Sequence, residues 1–160
     1  MFQHLDKTSV PPDNKPLMVY DGKCDFCRYW IVKWKMMTGN NIEYTTFQKA
    51  AKQFPDIEIQ HFKEAVRLIL PDGTIYSGPA AAYYTYFIRN SVPFLFKWYQ
   101  SITWFRRLND YLYQWIADNR NQVFKFCIKM LGKNPRKQNY NWLKYLTGFA
   151  LILLMIIYFY

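Results

Sequence analysis

The sequence predicts an α/β fold: a small mixed β-sheet with flanking helices, extended by amphipathic helices and one apolar C-terminal helix. Three observations carry this. Short apolar runs of strand length alternate with segments whose apolar residues recur every three or four positions. A Pro71-Asp72-Gly73 turn joins two of the strand-like runs directly, proline fixing φ and glycine supplying positive φ. Past about residue 93 only helical spacing remains.

Residues 1–16 are polar and hold Pro11, Pro12 and Pro16, which predicts a flexible leader. Leu17–Tyr20 is an apolar run long enough for one buried strand, and Asp21-Gly22 breaks it. From Cys24 onward, Cys27, Trp30, Ile31, Trp34 and Met37 form one helical stripe, which Gly39-Asn40 ends. Ile42–Phe47 reads as a second strand and Lys49–Gln53 as a short helix stopped by Pro55. Ala65–Leu70 and Thr74–Ser77 flank the turn as strands three and four. Pro79 suits the first turn of a helix capped by Ser77 or Gly78 and running to about Asn90. The order β-α-β-α-β-β-α gives a mixed sheet with helices on its faces.

Two amphipathic helices are expected to pack on this unit. One carries Phe94, Leu95, Trp98, Tyr99, Ile102 and Phe105; the other carries Leu108, Leu112, Trp115, Ile116, Val123, Phe126 and Met130. The aromatic stripe from Phe94 to Phe105 reads first as core and second as a lipid-binding face. From Tyr145 to Tyr160 there is no charge, and residues 142–160 are interrupted only by Lys144. A spanning helix needs about 20 apolar residues, so this stretch reads as a transmembrane helix, with a buried core helix as the alternative. The expected plan is a leader over 1–16, a domain with a helical cap over 17–131, a basic linker over 132–141 and a transmembrane helix over 142–160.

The net charge of +10 is uneven: residues 1–118 hold 14 Lys/Arg against 11 Asp/Glu, and residues 119–160 hold seven Lys/Arg and no acid. Basic residues before an apolar segment place the domain on the cytoplasmic side of a membrane, here a bacterial inner membrane, with anionic lipid as partner. No nucleic-acid-binding motif is present. Three cysteines cannot all pair within the chain, which excludes a disulfide framework, and the N-terminus has no apolar run of signal-peptide type.

Cys24-Asp25-Phe26-Cys27 is a C-x-x-C at the handover from strand to helix. The first cysteine meets the free amides and positive dipole end of the helix, which favour its thiolate. Lys23 and Arg28 add positive charge and Asp25 opposes it. In exchange, Cys24 would attack a disulfide and Cys27 would resolve the mixed disulfide. The residues resemble a known family at this point. Tyr20-Asp21-Gly22-Lys23-Cys24-Asp25-Phe26-Cys27 is similar to the signature of the DCC thiol-disulfide oxidoreductases, named for Asp-x-x-Cys-x-x-Cys. Ser77-Gly78-Pro79-Ala80-Ala81 resembles the step that opens the family's second large helix, and Tyr113–Arg120 its Tyr…Asn-Arg segment. The likeness covers about residues 17–126 and implies a thioredoxin-like fold with a dithiol–disulfide activity. Thioredoxins place a cis-proline before the third strand; here that run is Lys63-Glu64-Ala65-Val66, for which trans geometry is expected.

The candidate catalytic residues are Cys24, Cys27 and Asp21. Asp21 either takes a proton from Cys27 or accepts backbone amides of the turn that opens the helix. No cofactor is expected; a thioredoxin or glutathione system would serve as electron donor. The alternatives are a non-catalytic membrane-anchored adaptor and a zinc half-site completed by Cys127, His4 or His61. Cys127 reads as a small buried hydrophobe, His4 as exposed and His61 as unassigned. Arg120, with Asn119, is expected to fix the cap to the sheet, and Gly78 to allow close approach of strand end and helix.

Overall fold

The computed structural model describes residues 1–137 and 142–148. Four strands form one sheet in the order β2-β1-β3-β4: β1 (Leu17–Tyr20), β2 (Glu43–Thr46), β3 (Arg67–Ile69) and β4 (Ile75–Ser77). β1 runs parallel to β2, and β3 is antiparallel to both β1 and β4. The parallel pair needs a crossover, which is α1 (Asp25–Thr38). The antiparallel pair β3–β4 needs only the Pro71-Asp72-Gly73 turn, where Thr74 N–H donates to Asp72 Oδ1 at 2.9 Å.

Successive strand residues point to opposite faces, and the core divides accordingly. Val19, Ile69 and Ile75 pack with Ala50, Phe54, Ile57 and Phe62. Met18 and Leu68 pack on the other side with Ile31, Ile42 and Ala81. The first group comes from α2 (Phe47–Ala50), α3 (Ile59–Glu64) and the turns around them; the second face is covered by α1 and α4 (Pro79–Ile88). The result is a mixed α/β arrangement, a four-stranded sheet with helices on both faces. The second strand is shorter than predicted, because Phe47 already opens α2. α3 has no counterpart in the sequence reading: six residues with one buried side chain, Phe62, are too few to show a period.

The cap consists of three helices rather than two: α5 (Pro93–Ser101), α6 (Thr103–Asp118) and α7 (Arg120–Leu131). The chain leaves helical geometry at Ile102 and Asn119, neither a glycine nor a proline. The Phe94–Phe105 stripe splits, with Phe96 and Tyr99 buried and Phe94, Trp98 and Trp104 exposed. Tyr29 Oη on α1 donates to Gly132 O at 3.0 Å, fastening the end of α7.

Within the 1–16 stretch read as a flexible leader, the first eight residues are anchored at Phe2 and Thr8. Phe2 is buried, its N–H donates to Gln114 Oε1 at 2.7 Å, and Lys7 bridges Thr74 beside β4. Thr8 and Ser9 hydroxyls donate to the Asp56 carboxylate, whose pKa is lowered chiefly by the Ser9 amide. One aromatic anchor and one acidic clamp outweigh the polar composition.

The transmembrane helix is corrected. Among the described residues no helix is long and apolar enough to cross a membrane. The described part of the predicted span is a helix over 142–148. Residues 149–160, and 138–141 of the predicted linker, lie outside the described residues.

Candidate active site

β1 delivers the chain to the end of the sheet, and Asp21-Gly22-Lys23 turns it into α1. Gly22 is required there: a Cβ would sit 2.5 Å from Thr46 Cγ2 on β2. Asp21 Oδ1 accepts from Lys23 N–H at 3.0 Å and from Gln48 Nε2 at 2.8 Å. Gln48 Oε1 accepts in turn from Gly22 N–H at 3.2 Å, so the turn is clamped from both sides. The backbone-holding reading of Asp21 corresponds to these bonds.

This turn places Cys24 as the N-cap of α1, in extended conformation, with Cys27 N–H donating to Cys24 Sγ at 3.1 Å. The two cysteines are joined in a disulfide, their Cα atoms 5.2 Å apart. An amide aimed at the first sulfur is the arrangement that stabilises a thiolate once the bond is reduced. Arg28 pairs with Asp25, and both are exposed, so these charges largely cancel and the helix amides carry the local field.

The sulfurs face different surroundings. Cys24 borders a polar groove with Lys23, Asp25, Asp118, Arg120 and Gln122. Cys27 borders an apolar cleft of about 350 Å³, walled by Phe26, Trp30, Trp34, Tyr83 and Ile116 among others, with Asp21 and Arg120 among its few charged groups. The predicted apolar stripe of α1 therefore serves partly as cleft wall. Cys127 is buried in the same wall. Burial pushes its thiol pKa up, and a Trp30 hydrogen bond and Lys33 oppose this.

The run before β3 is covered by the cap. Arg120 Nη2 donates to Lys63 O at 3.2 Å and Glu64 O at 3.1 Å, tying α7 to this run. Val66 N–H donates to Tyr113 Oη at 3.1 Å. No peptide bond among the described residues is cis. Gly78, at φ +55°, lets α4 start against the cap: a Cβ there would lie 2.9 Å from Phe2 Cζ and 3.3 Å from Tyr113 Cδ1.

Sequence reasoning missed Arg67. It is fully buried, donates to His61 O at 3.0 and 2.9 Å, to Gln3 O at 2.6 Å and to Ser77 Oγ, and burial lowers its pKa to about 10. Neither histidine meets the cysteines. His4 Nε2 is 3.0 Å from the buried Asp110, and His61 Nδ1 is 3.6 Å from Glu64. His4 is thus held at its ring rather than simply exposed. Among the described residues no group of three or more His, Cys, Asp or Glu gathers as a metal site, which leaves the zinc half-site without further ligands.

The profile of one protein family, described as DCC1-like thiol-disulfide oxidoreductase, matches residues 18–126. No curated protein matches the chain, and no solved structure does.

Proposed function

The chain belongs to the DCC1-like thiol-disulfide oxidoreductase family and is a thiol-disulfide oxidoreductase with a Cys-x-x-Cys couple; from that premise we propose that Cys24 is the nucleophile and Cys27 the resolving thiol. The observation that carries this assignment is the asymmetry of the pair. Cys24 caps α1, accepts the Cys27 amide and opens onto the polar groove, whereas Cys27 lies inside the helix beside the apolar cleft. A thiolate needs donors and access to solvent; a resolving thiol needs only reach.

In the reductive direction the Cys24 thiolate attacks one sulfur of a substrate disulfide and expels the other as a thiolate. Cys27, losing its proton, then attacks Cys24 Sγ. The Cys24–Cys27 bond forms, the mixed disulfide breaks, and two electrons have passed to the substrate. Asp21 lines the cleft with Cys27 and is the proton acceptor in this scheme. A thioredoxin or glutathione system would restore the dithiol.

Titration of the full chain in glutathione buffers, read by alkylation and intact mass, tests the couple. A reversible two-electron transition between about −120 and −270 mV is expected. Cys27→Ser is expected to accumulate a mixed disulfide on Cys24. Accumulation in Cys24→Ser instead would reverse the roles, and a pair that never oxidises would overturn the exchange reading.

A further inference from the structure

A disulfide substrate can be held beside such a pair in two ways. An extended peptide is held by backbone hydrogen bonds, whereas a compact molecule is held by burying its side groups. Here the nearest irregular backbone is already engaged. Val66 N–H donates to Tyr113 Oη at 3.1 Å, and Val66 O accepts from Gly78 N–H at 2.9 Å. Ala65 N–H donates to His61 O at 3.4 Å, and the carbonyls of Lys63 and Glu64 are occupied by Arg120. A peptide strand laid along 63–66 would have to displace the protein's own cap.

The cleft beside Cys27 remains open. Its volume of about 350 Å³ lies in the range of small-molecule sites, roughly 300–1,000 Å³. It runs between α1, α4, α6 and α7, and its walls are mostly rings and aliphatic side chains. Trp34 lines it, and Trp34 Nε1 is buried with no hydrogen-bond partner among the described residues.

We propose that this cleft is the subsite for compact apolar disulfides, taking an aryl or branched alkyl group while the substrate sulfur meets Cys24. The proposal rests on the exchange reading and narrows its substrate class. The reaction balances as R–S–S–R plus the reduced pair giving two R–SH plus the Cys24–Cys27 disulfide. Two electrons pass to the substrate, and the two thiol protons end on the released thiolates.

The test uses the reduced full chain with dibenzyl disulfide and bis(2-hydroxyethyl) disulfide, which both release alkyl thiols. Each rate of pair oxidation is divided by that disulfide's rate with a simple thiol. The normalised rate for the benzyl compound is expected to exceed the other by about tenfold or more, as burial of one ring allows. Ala82→Leu, which fills the cleft from α4, is expected to bring that ratio toward one. Ala117→Leu, from α6, does the same and serves if the first variant does not fold. Equal normalised rates in the unmodified protein would overturn the proposal. So would folded variants that keep the ratio, or a cystine-bridged extended peptide that reacts faster than the benzyl compound. Failure of the exchange reading looks different: neither disulfide nor glutathione buffer would interconvert the two states of the pair.

Discussion

Tyr113→Phe isolates the contact that closes the run before β3. The Tyr113 hydroxyl accepts from the part-buried Val66 N–H at 3.1 Å and joins α6 to the edge of the site. Phenylalanine keeps the ring, so no cavity opens, but the amide loses its acceptor. Burial raises the Tyr113 pKa, with the Val66 amide, Arg120 and Arg67 opposing, so the group lost is a neutral hydroxyl. Leaving a donor without a partner costs roughly 1–2 kcal/mol at a site that is not wholly dry. For a chain of this size that corresponds to a fall in melting temperature of about 2–8 °C. Thermal unfolding of the oxidised full chain, followed by circular dichroism, measures the fall. Hydrogen exchange at the Val66 amide reports the same contact locally and is expected to accelerate. A melting temperature unchanged to about 1 °C, with Val66 exchange also unchanged, would refute the claim that this bond holds the run closed.

Three further outcomes are expected. Arg67→Met removes a buried guanidinium, takes that donor from Gln3 O and leaves His61 O with only the Ala65 N–H, costing roughly 1–3 kcal/mol in urea unfolding. A loss under about 1 kcal/mol would show that the cluster is replaceable by packing. In alkali, burial holds the Tyr44 phenol up to about 12 against the Thr38 hydrogen bond, while an unfolded tyrosine ionises near 10. The folded chain therefore binds more protons in between, and this stability, complete below pH ~10, is lost as pH rises to ~12. Burial raises Tyr29, Tyr76, Tyr83 and Tyr84 in the same direction, so the decline should be steep; unfolding free energy that stays flat across this window would contradict it. Asp21→Asn, which keeps an acceptor oxygen for the turn, is expected to preserve the fold and slow resolution, seen as longer-lived mixed disulfide after stopped-flow mixing.

What the sequence made legible was local. The Cys24–Cys27 pair, the Asp21-Gly22 break, the Pro71-Asp72-Gly73 turn and the Pro79 start each depend on neighbours within a few residues, and each stands where it was read. Arg67 was illegible because its partners lie 6, 10 and 64 residues away, and a charge in a short strand reads as an edge or an exposed site. The anchored start of the leader was hidden for the same reason, since Phe2 is held by Gln114 and Tyr113. The α1 stripe was legible only as a face. Cys27, Trp30, Ile31 and Trp34 do share a face, but periodicity marks a surface removed from water and does not distinguish a filled core from a cleft. Only the position of the cap decides that, and the cap breaks at Ile102, which carries no turn chemistry, and at Asn119, one turn-forming residue inside an otherwise helical pattern.

The two readings of Asp21 turn out to use different atoms. Both of its hydrogen bonds fall on Oδ1, from Lys23 N–H and Gln48 Nε2. These bonds set the turn that makes Cys24 an N-cap, and a neutral amide oxygen could accept them nearly as well. A proton, by contrast, needs a carboxylate, and neither of these bonds uses Oδ2. Holding the turn therefore does not exhaust the residue, and a carboxylate anchored through one oxygen is better placed to receive a proton on the other than a mobile one. This is why substitution by Asn, rather than Ala, is informative. Ala would disturb the N-cap and the Cys24 thiolate together, whereas Asn keeps the first function and removes only the second. If Asn leaves resolution unchanged, the Cys27 proton must pass to solvent through the open side of the cleft, and Asp21 is a turn residue alone.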